Sequence, residues 1–297
     1  MSEQPTVSVV VRTKDEAESI GRTLSLLAAQ TIAARSETIV VDSGSSDDTV
    51  AIARLGGARV VEIPAATFTY GGALNTGAAA ARAELIVALS AHAFPRDEGW
   101  LERVVAPFAD EQVACVCGYE GDPEGHRLAG PRVQDAADAA RHPHWGYSNV
   151  NGCFRAALWR QRPFREDMPG TEDKEWAWYW LRRGYVTIVD PALCVDHDHS
   201  DESPRERYAR WRREWVGFGM FVELPPYGLR DLLREWWTDR GGRRSMLRAR
   251  LSHRRLGELA GTYAGRRAAA KAAGPPDAPR LVPTGPPKDA RIPALRD

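Results

Sequence analysis

The stretch VSVVVRTKDEAESIGRTLSLLAAQTIAARSETIVVDSGSSDDT, residues 7–49, decides the fold. Val7–Arg12 is an almost unbroken run of valine. Such β-branched runs suit a strand covered on both faces. From Glu16 to Gln30 the period changes, and Ile20, Leu24 and Leu27 recur at helical spacing. Glu37–Asp42 returns to an apolar strand, and Ser46–Leu55 to a helix. The alternation runs on. It predicts strands at Ala58–Ile63, Glu84–Ser90 and Val113–Gly118, with helices at Gly71–Ala83 and Glu98–Ala109. Buried strands alternating with helices make a parallel sheet with helices on both faces. In such sheets ligands bind beyond the carboxyl ends of the strands. Arg12, Asp42 and Ser90–His92 all fall at such ends.

Past residue 118 the regularity weakens. Glu120–Tyr147 is rich in glycine, proline and charge, and reads as a loop or a mobile lid. Ser148–Phe154, Tyr185–Asp190 and Leu193–Ser200 read as strands, and Glu172–Arg183 as a helix. From Pro204 the pattern turns helical, with many Arg and Trp. Residues 274–297 are Pro-rich without periodicity, the mark of a disordered tail. The expected organisation is an α/β domain over 1–203 with halves 1–118 and 119–203, a basic helical segment over 204–273, and a tail over 274–297.

A composition of 43% hydrophobic and 27% charged residues suits a globular domain and argues against a disordered chain. No apolar run approaches the roughly 18–20 residues of a membrane span. Met1–Thr6 is short and polar, so no leader and a cytoplasmic location are expected. Cys115, Cys117, Cys153 and Cys194 all lie in apolar surroundings and read as buried free thiols. Net charge is zero, yet residues 1–204 carry 19 Lys+Arg against 30 Asp+Glu, and residues 205–271 carry 17 against 7. The basic segment is either a solvated helix face or a surface for an anionic partner. Its Trp and Arg residues between Leu233 and Leu256 suit an anionic membrane, as a peripheral contact, or a homodimer interface. Gly241-Gly242 interrupts a long interfacial helix and favours the dimer. No nucleic-acid partner is expected.

Four short stretches carry candidate chemistry. In VVDSGSSDDT (residues 40–49), Gly44 suits a turn, Ser46 a helix cap, and Asp47 and Asp48 the positive end of that helix. This leaves Asp42, a carboxylate closing an apolar strand, able to accept a hydrogen bond from a base N–H or a ribose hydroxyl. In GTEDKEWAW (170–178), Thr171 reads as an N-cap with Glu172 and Asp173 in the first turn; the same paired carboxylates suit a general base. In DHDHS (196–200), strand alternation puts His197 and His199 on one face, where two imidazoles can share a metal or a phosphate with His92 as a third group. The alternative is surface histidines at a strand end. In FTYGGALNTG (68–77), two glycines opening a helix permit close approach of an anion, but no Gly-Lys-Ser/Thr follows, so this is not a P-loop.

The order of these pieces resembles the family 2 glycosyltransferases, which have the GT-A fold. The resemblance runs from about Val7 to His199. Its carriers are the first 25 residues of the opening stretch, IVVDSGSSDDT, YGGALNTGAAAARAELIVALSAHAFP, SNVNGCFRAALW and TEDKEWAWYWLRRGY. It implies an α/β, Rossmann-like, parallel-rich sheet with helices on both faces, plus a helical C-terminal segment. It also implies inverting transfer of a sugar from a UDP-, dTDP- or GDP-linked donor to an acceptor hydroxyl or amine. In that family the aspartate ending the second strand binds the base, which implicates Asp42 with its neighbour Ser43. Residues after the first strand line the same pocket, which implicates Arg12, Thr13 and Glu16. Asn75 joins this donor-binding set. The Asp of a Glu-Asp pair at a helix start is the base, which implicates Asp173 beside Glu172. Asn149 and Asn151 are candidates for acceptor or sugar hydroxyls.

One departure from the family stands out. The slot of its metal-binding Asp-x-Asp motif reads Ser90-Ala91-His92. His92, with His197 or His199, would then hold the divalent cation, Mn²⁺ or Mg²⁺, or His92 would meet the diphosphate itself. Two other readings stay open. One is a metal-dependent hydrolase or phosphodiesterase built on the three histidines. The other is a non-catalytic nucleotide-sugar-binding protein.

Overall fold

Strand β1 (Val7–Thr13) shows how the sheet is built. Val7, Val9 and Val11 enter one apolar cluster and Val10 enters the other; all four are fully buried. Each such burial stabilises the fold by about 1.5–3 kcal/mol. The computed structural model describes residues 5–197, 202–238, 252–270 and 281–283. These fall into two units, one of residues 5–167 and 172–197, the other of 168–171 and the described residues from 202 onward.

In the first unit, β1 is followed by α1 (Ala17–Ala28), β2 (Ser36–Asp42), α2 (Thr49–Leu55), β3 (Arg59–Glu62), α3 (Tyr70–Ala80), β4 (Leu85–Ser90), β5 (Phe94–Pro95) and α4 (Trp100–Val105). Then come β6 (Val113–Cys117), β7 (Arg132–Gln134), α5 (Ala136–Arg141), β8 (Asn151–Arg155), α6 (Ala156–Gln161), α7 (Glu172–Leu181), β9 (Val186–Val189) and β10 (Val195–Asp196). Eight strands form one sheet in the order β3-β2-β1-β4-β8-β6-β9-β7. β3, β2, β1 and β4 are parallel, as are β6 and β9, while β8 and β7 run antiparallel to their neighbours. The fold is thus a mixed α/β sheet with one wholly parallel half, β3-β2-β1-β4. β8 enters between β4 and β6 and runs antiparallel to both, so the sheet is parallel-rich, as expected.

Helices α1 and α4 cover one face through Ile20, Leu24, Leu27, Trp100 and Leu101. Helices α3 and α7 cover the other through Leu74, Trp176 and Trp180. The glycines of α3 serve this packing. A Cβ on Gly77 would overlap a Val10 methyl, and one on Gly71 would overlap the Arg165 carbonyl. The close approach read from YGGALNTG is therefore made by the protein's own backbone.

Three further expectations change. The supposed lid of residues 120–147 contains β7 and α5. Of the predicted strand Leu193–Ser200, Val195–Asp196 pairs with Phe94–Pro95 and His197 lies past it, while residues 198–200, His199 among them, lie outside the described residues. Helix α2 starts at Thr49, and Ser46 caps nothing.

The second unit holds α8 (Pro204–Gly219), α9 (Leu229–Thr238) and α10 (His253–Ala269). Ser203 opens α8 with a reciprocal capping box to Glu206. Val222 forms an isolated bridge with Leu281. Residues 274–280 and 284–297 of the predicted Pro-rich tail lie outside the described residues.

Candidate active site

The β1–α1 and β2–α2 loops are stitched together by side chains. Asp15, at φ 54°, accepts from the Ser46 amide at 2.7 Å and the Ser46 hydroxyl at 3.0 Å. In return the Asp15 amide donates to Ser45 Oγ at 2.8 Å, the Glu16 amide to Thr49 Oγ1 at 2.7 Å, and the Ala17 amide to Asp47 Oδ2 at 3.1 Å. Asp42 sits inside this arrangement and is buried. Its Oδ2 accepts from the Gly44 and Ser45 amides at 3.0 and 2.9 Å, and its Oδ1 from Thr13 Oγ1 at 3.2 Å and from the Ser45 hydroxyl. A carboxylate has about four acceptor sites, so protein donors already fill those of Asp42. Thr13 and Ser43 are likewise buried, with the Ser43 hydroxyl on the Thr13 carbonyl at 3.0 Å. Together these residues shape the loop at the ends of β1 and β2.

One strand across, Arg12 lies level with Ser90 in the β1–β4 register. Ala91 is buried, and its carbonyl takes the Thr23 hydroxyl at 2.6 Å. His92 emerges half-buried. Its Nδ1 lies 2.9 Å from Glu16 Oε1, and its Nε2 lies 3.5 Å from Ser90 Oγ. The rings of His92 and His197 stack at 4.7 Å with planes 14° apart. Imidazole lone pairs lie in the ring plane, so stacked rings send theirs side by side and do not converge on one ion. Among the described residues no three His, Cys, Asp or Glu side chains are placed to hold a metal. The expected centre of His92 with His197 therefore does not fit, and His199 lies outside the described residues. What the structure pairs with His92 is Glu16.

The third element is the start of α7. Glu172 is buried, and its Oε1 lies 3.5 Å from Arg12 Nη1 and 3.4 Å from Asn149 Nδ2. Burial pushes its carboxyl up from the ordinary range, the charge of Asp173 adds to this, and the Arg12 guanidinium opposes it. Arg12 is fixed by donating to the Tyr70 carbonyl at 3.0 Å, with its guanidinium over the Tyr70 ring. Asp173 is half-buried. Its Oδ2 accepts from the Asn149 amide at 3.1 Å and its Oδ1 from the Lys174 amide at 2.8 Å, which leaves capacity on both oxygens. Asn149 Oδ1 is buried with no hydrogen-bond partner. Thr171, just before the helix, has φ 64°, a strained conformation for a β-branched residue, and its hydroxyl donates to the Gly170 carbonyl. It does not cap α7.

The sheet links these elements. The Ser90 amide donates to the Val150 carbonyl at 3.0 Å, one residue from Asn149, and Leu89 pairs with Asn151. Two predicted residues fall outside this constellation. Asn75 spends its amide on Phe164, Glu166 and Trp159, which ties α3 to the chain after α6. Asn151 trades two hydrogen bonds with the Gly118 backbone. Both are structural, because every polar atom of each amide already faces a protein partner. Sequence reasoning missed Ser45, Asp15, Tyr70 and Lys174, whose Nζ donates to the Tyr147 carbonyl at 3.0 Å. Only the double acid content around Asp15 and Asp47 hinted at the stitching.

Residues 8–170 match the family described as glycosyl transferase family 2. The O-antigen chain rhamnosyltransferase WbaN of Salmonella anatum is 34% identical over 218 residues, which is 66% of this chain and 65% of that protein. The O-antigen chain rhamnosyltransferase RfbN of Salmonella typhimurium is 27% identical over 216 residues, 65% of each. The chain thus spans 65% of the length of the curated relatives it matches. The solved mannosyltransferase PcManGT from Pyrobaculum calidifontis, in complex with GDP-Man and Mn²⁺, superimposes with a TM-score of 0.59 at 22% identity, covering 91% of this chain and 74% of that one. That likeness shows the GT-A fold. With the family's pattern running through the strand ends that carry Arg12, Asp42 and His92, the chain belongs to glycosyl transferase family 2.

Proposed function

We propose that this chain is an inverting glycosyltransferase that moves a sugar from a nucleoside-diphosphate sugar to an acceptor hydroxyl or amine, with Asp173 as general base. One observation carries this reading. Of the paired carboxylates at the start of α7, Glu172 is buried against Arg12, while Asp173 is half-exposed and oriented by two backbone amides. A single accessible carboxylate suits a single displacement. The acceptor oxygen forms a bond to the anomeric carbon as the bond to the diphosphate oxygen breaks, Asp173 takes the acceptor's proton, and the nucleoside diphosphate leaves with the electron pair. The configuration at the anomeric carbon therefore inverts.

The donor lies, in this reading, across the ends of β1, β2 and β4. A base N–H replaces the Ser45 hydroxyl on Asp42, the exchangeable member of its four donors. Arg12 offsets the diphosphate charge, and His92, braced by Glu16, is a hydrogen-bond partner for the same group. The orphaned Asn149 Oδ1 suits a hydroxyl of the sugar or acceptor. Because two relatives are rhamnosyltransferases, rhamnose is the first sugar to test.

The test uses the full chain with dTDP-, UDP- and GDP-linked sugars, with and without a panel of hydroxyl acceptors. Expected is release of nucleoside diphosphate that depends on the acceptor, with an inverted anomeric centre by NMR. Release at full rate without acceptor would replace transfer by hydrolysis. Retained configuration would remove the single-base mechanism.

A further inference from the structure

Helix α9 carries a surface that sugar transfer does not use. At about 100° per residue, Leu229, Leu232, Leu233, Trp236 and Trp237 form one continuous apolar arc. The half-buried edge of that arc is Leu232 and Trp236, on a helix that packs against α10. Its other edge is open: Leu229, Leu233 and Trp237 are 62%, 59% and 69% exposed. Arg230 and Arg234, both exposed, border this open edge. The acids of the helix lie on the opposite side and are engaged there, Asp231 by the Gly228 amide at 2.8 Å and Glu235 by the Tyr227 hydroxyl.

We propose that this stripe docks on an anionic lipid surface. Leucine and tryptophan would enter the boundary between headgroups and acyl chains, and Arg230 and Arg234 would meet lipid phosphates. Charge favours this occupant over a second copy of the chain. Laid face to face and antiparallel, two stripes would bring the same two exposed arginines of each copy side by side. The surrounding sequence agrees in sign, with 17 Lys+Arg against 7 Asp+Glu over residues 205–271. No helix among the described residues is long and apolar enough to cross a membrane, so the contact is peripheral. The sequence had favoured a dimer; the sorting of charges by helix face favours the lipid surface. This proposal does not rest on the catalytic reading.

Co-sedimentation of the full chain tests it, with vesicles of phosphatidylcholine alone and with added phosphatidylglycerol. The bound fraction is expected to rise with phosphatidylglycerol and fall with salt. The double variants Leu233→Glu/Trp237→Glu and Arg230→Glu/Arg234→Glu should each bind about tenfold or more weakly. Because these side chains are exposed, both variants should melt like the wild type, which separates lost binding from lost folding. Equal binding to both vesicle types would overturn the proposal, as would wild-type binding by the variants. A dimer in sedimentation velocity that Leu233→Glu dissociates would also overturn it and assign the stripe to a second copy.

Discussion

Two acid-rich turns lie in the first unit, and they do opposite things. Asp42 to Asp48 offers three aspartates after β2; Glu172 to Glu175 offers three carboxylates at the start of α7. In the first turn two of the three acids are absorbed, and Asp48 stays exposed. Asp42 takes four protein donors, and Asp47 takes the Thr49 and Ala17 groups, with the Thr49 hydroxyl chiefly holding its carboxyl below the usual range. At α7 the acids divide. Glu172 is buried against Arg12, Glu175 pairs with Arg162 at 2.6 Å, and only Asp173 keeps both accessibility and unused acceptor capacity. The acid content of a sequence thus says little about chemistry. What counts is which oxygen has a lone pair left after folding.

The contrast breaks most visibly at Asp173. Asp173→Asn keeps the size and an acceptor for one of the two backbone amides, but its NH2 cannot accept from the other and the side chain cannot take a proton. Transfer should fall by about 10²–10⁴-fold, while the donor-induced rise in melting temperature stays. A variant retaining more than roughly a tenth of the rate would show that the base lies elsewhere. Asp42→Ala should behave in the reverse order. It strands the Gly44 and Ser45 amides, so denaturant unfolding should show a loss of about 1–3 kcal/mol, with weaker donor binding on top. If stability were unchanged, Asp42 would be a ligand contact alone and the two turns would be alike.

Glu172 sharpens the comparison through pH. Its folded carboxyl is raised above the ordinary 4.5, so its stabilising contribution is complete below 4.5 and is lost as pH rises through the raised value. Glu172→Gln cannot ionise. The stability of wild type minus that of the variant should therefore decline as pH rises above 4.5, read from denaturant midpoints. A difference that grows with pH would mean that Arg12 more than compensates for burial. The smallest effect concerns metal. With the rings of His92 and His197 stacked, Mn²⁺ alone should leave the melting temperature within about a degree of the metal-free protein. A shift that appears only when a nucleotide sugar is also present would assign the ion to the diphosphate.

Much of this was legible in the sequence. β1, β2, β4 and β6 announce themselves because both of their faces are buried, which leaves uninterrupted apolar runs. Short β5, β7 and β10 were not read correctly. Two or three residues carry no period, and they are extended only because a partner strand pairs with them. The direction of β8 is equally invisible, since alternation does not encode whether a neighbour runs up or down. At the site, the carboxylate pair at the start of α7 could be placed because a helix start leaves a local signature. The Glu16–His92 pair could not, because its members lie 76 residues apart and meet only once β1 and β4 are adjacent. Asn75 and Asn151 misled for the complementary reason. A polar residue near a cleft looks functional until its hydrogen bonds are counted.

The stitched loops after β1 and β2 have a kinetic consequence. Asp15, Ser45, Ser46, Asp47 and Thr49 exchange side-chain and backbone hydrogen bonds in both directions, so neither loop can open without freeing the other. On the proposed reading, a nucleotide arriving at this wall meets a surface already set, and little chain entropy remains to be lost on contact. Differences between donors should then appear in how long each stays bound, while their rates of arrival remain close.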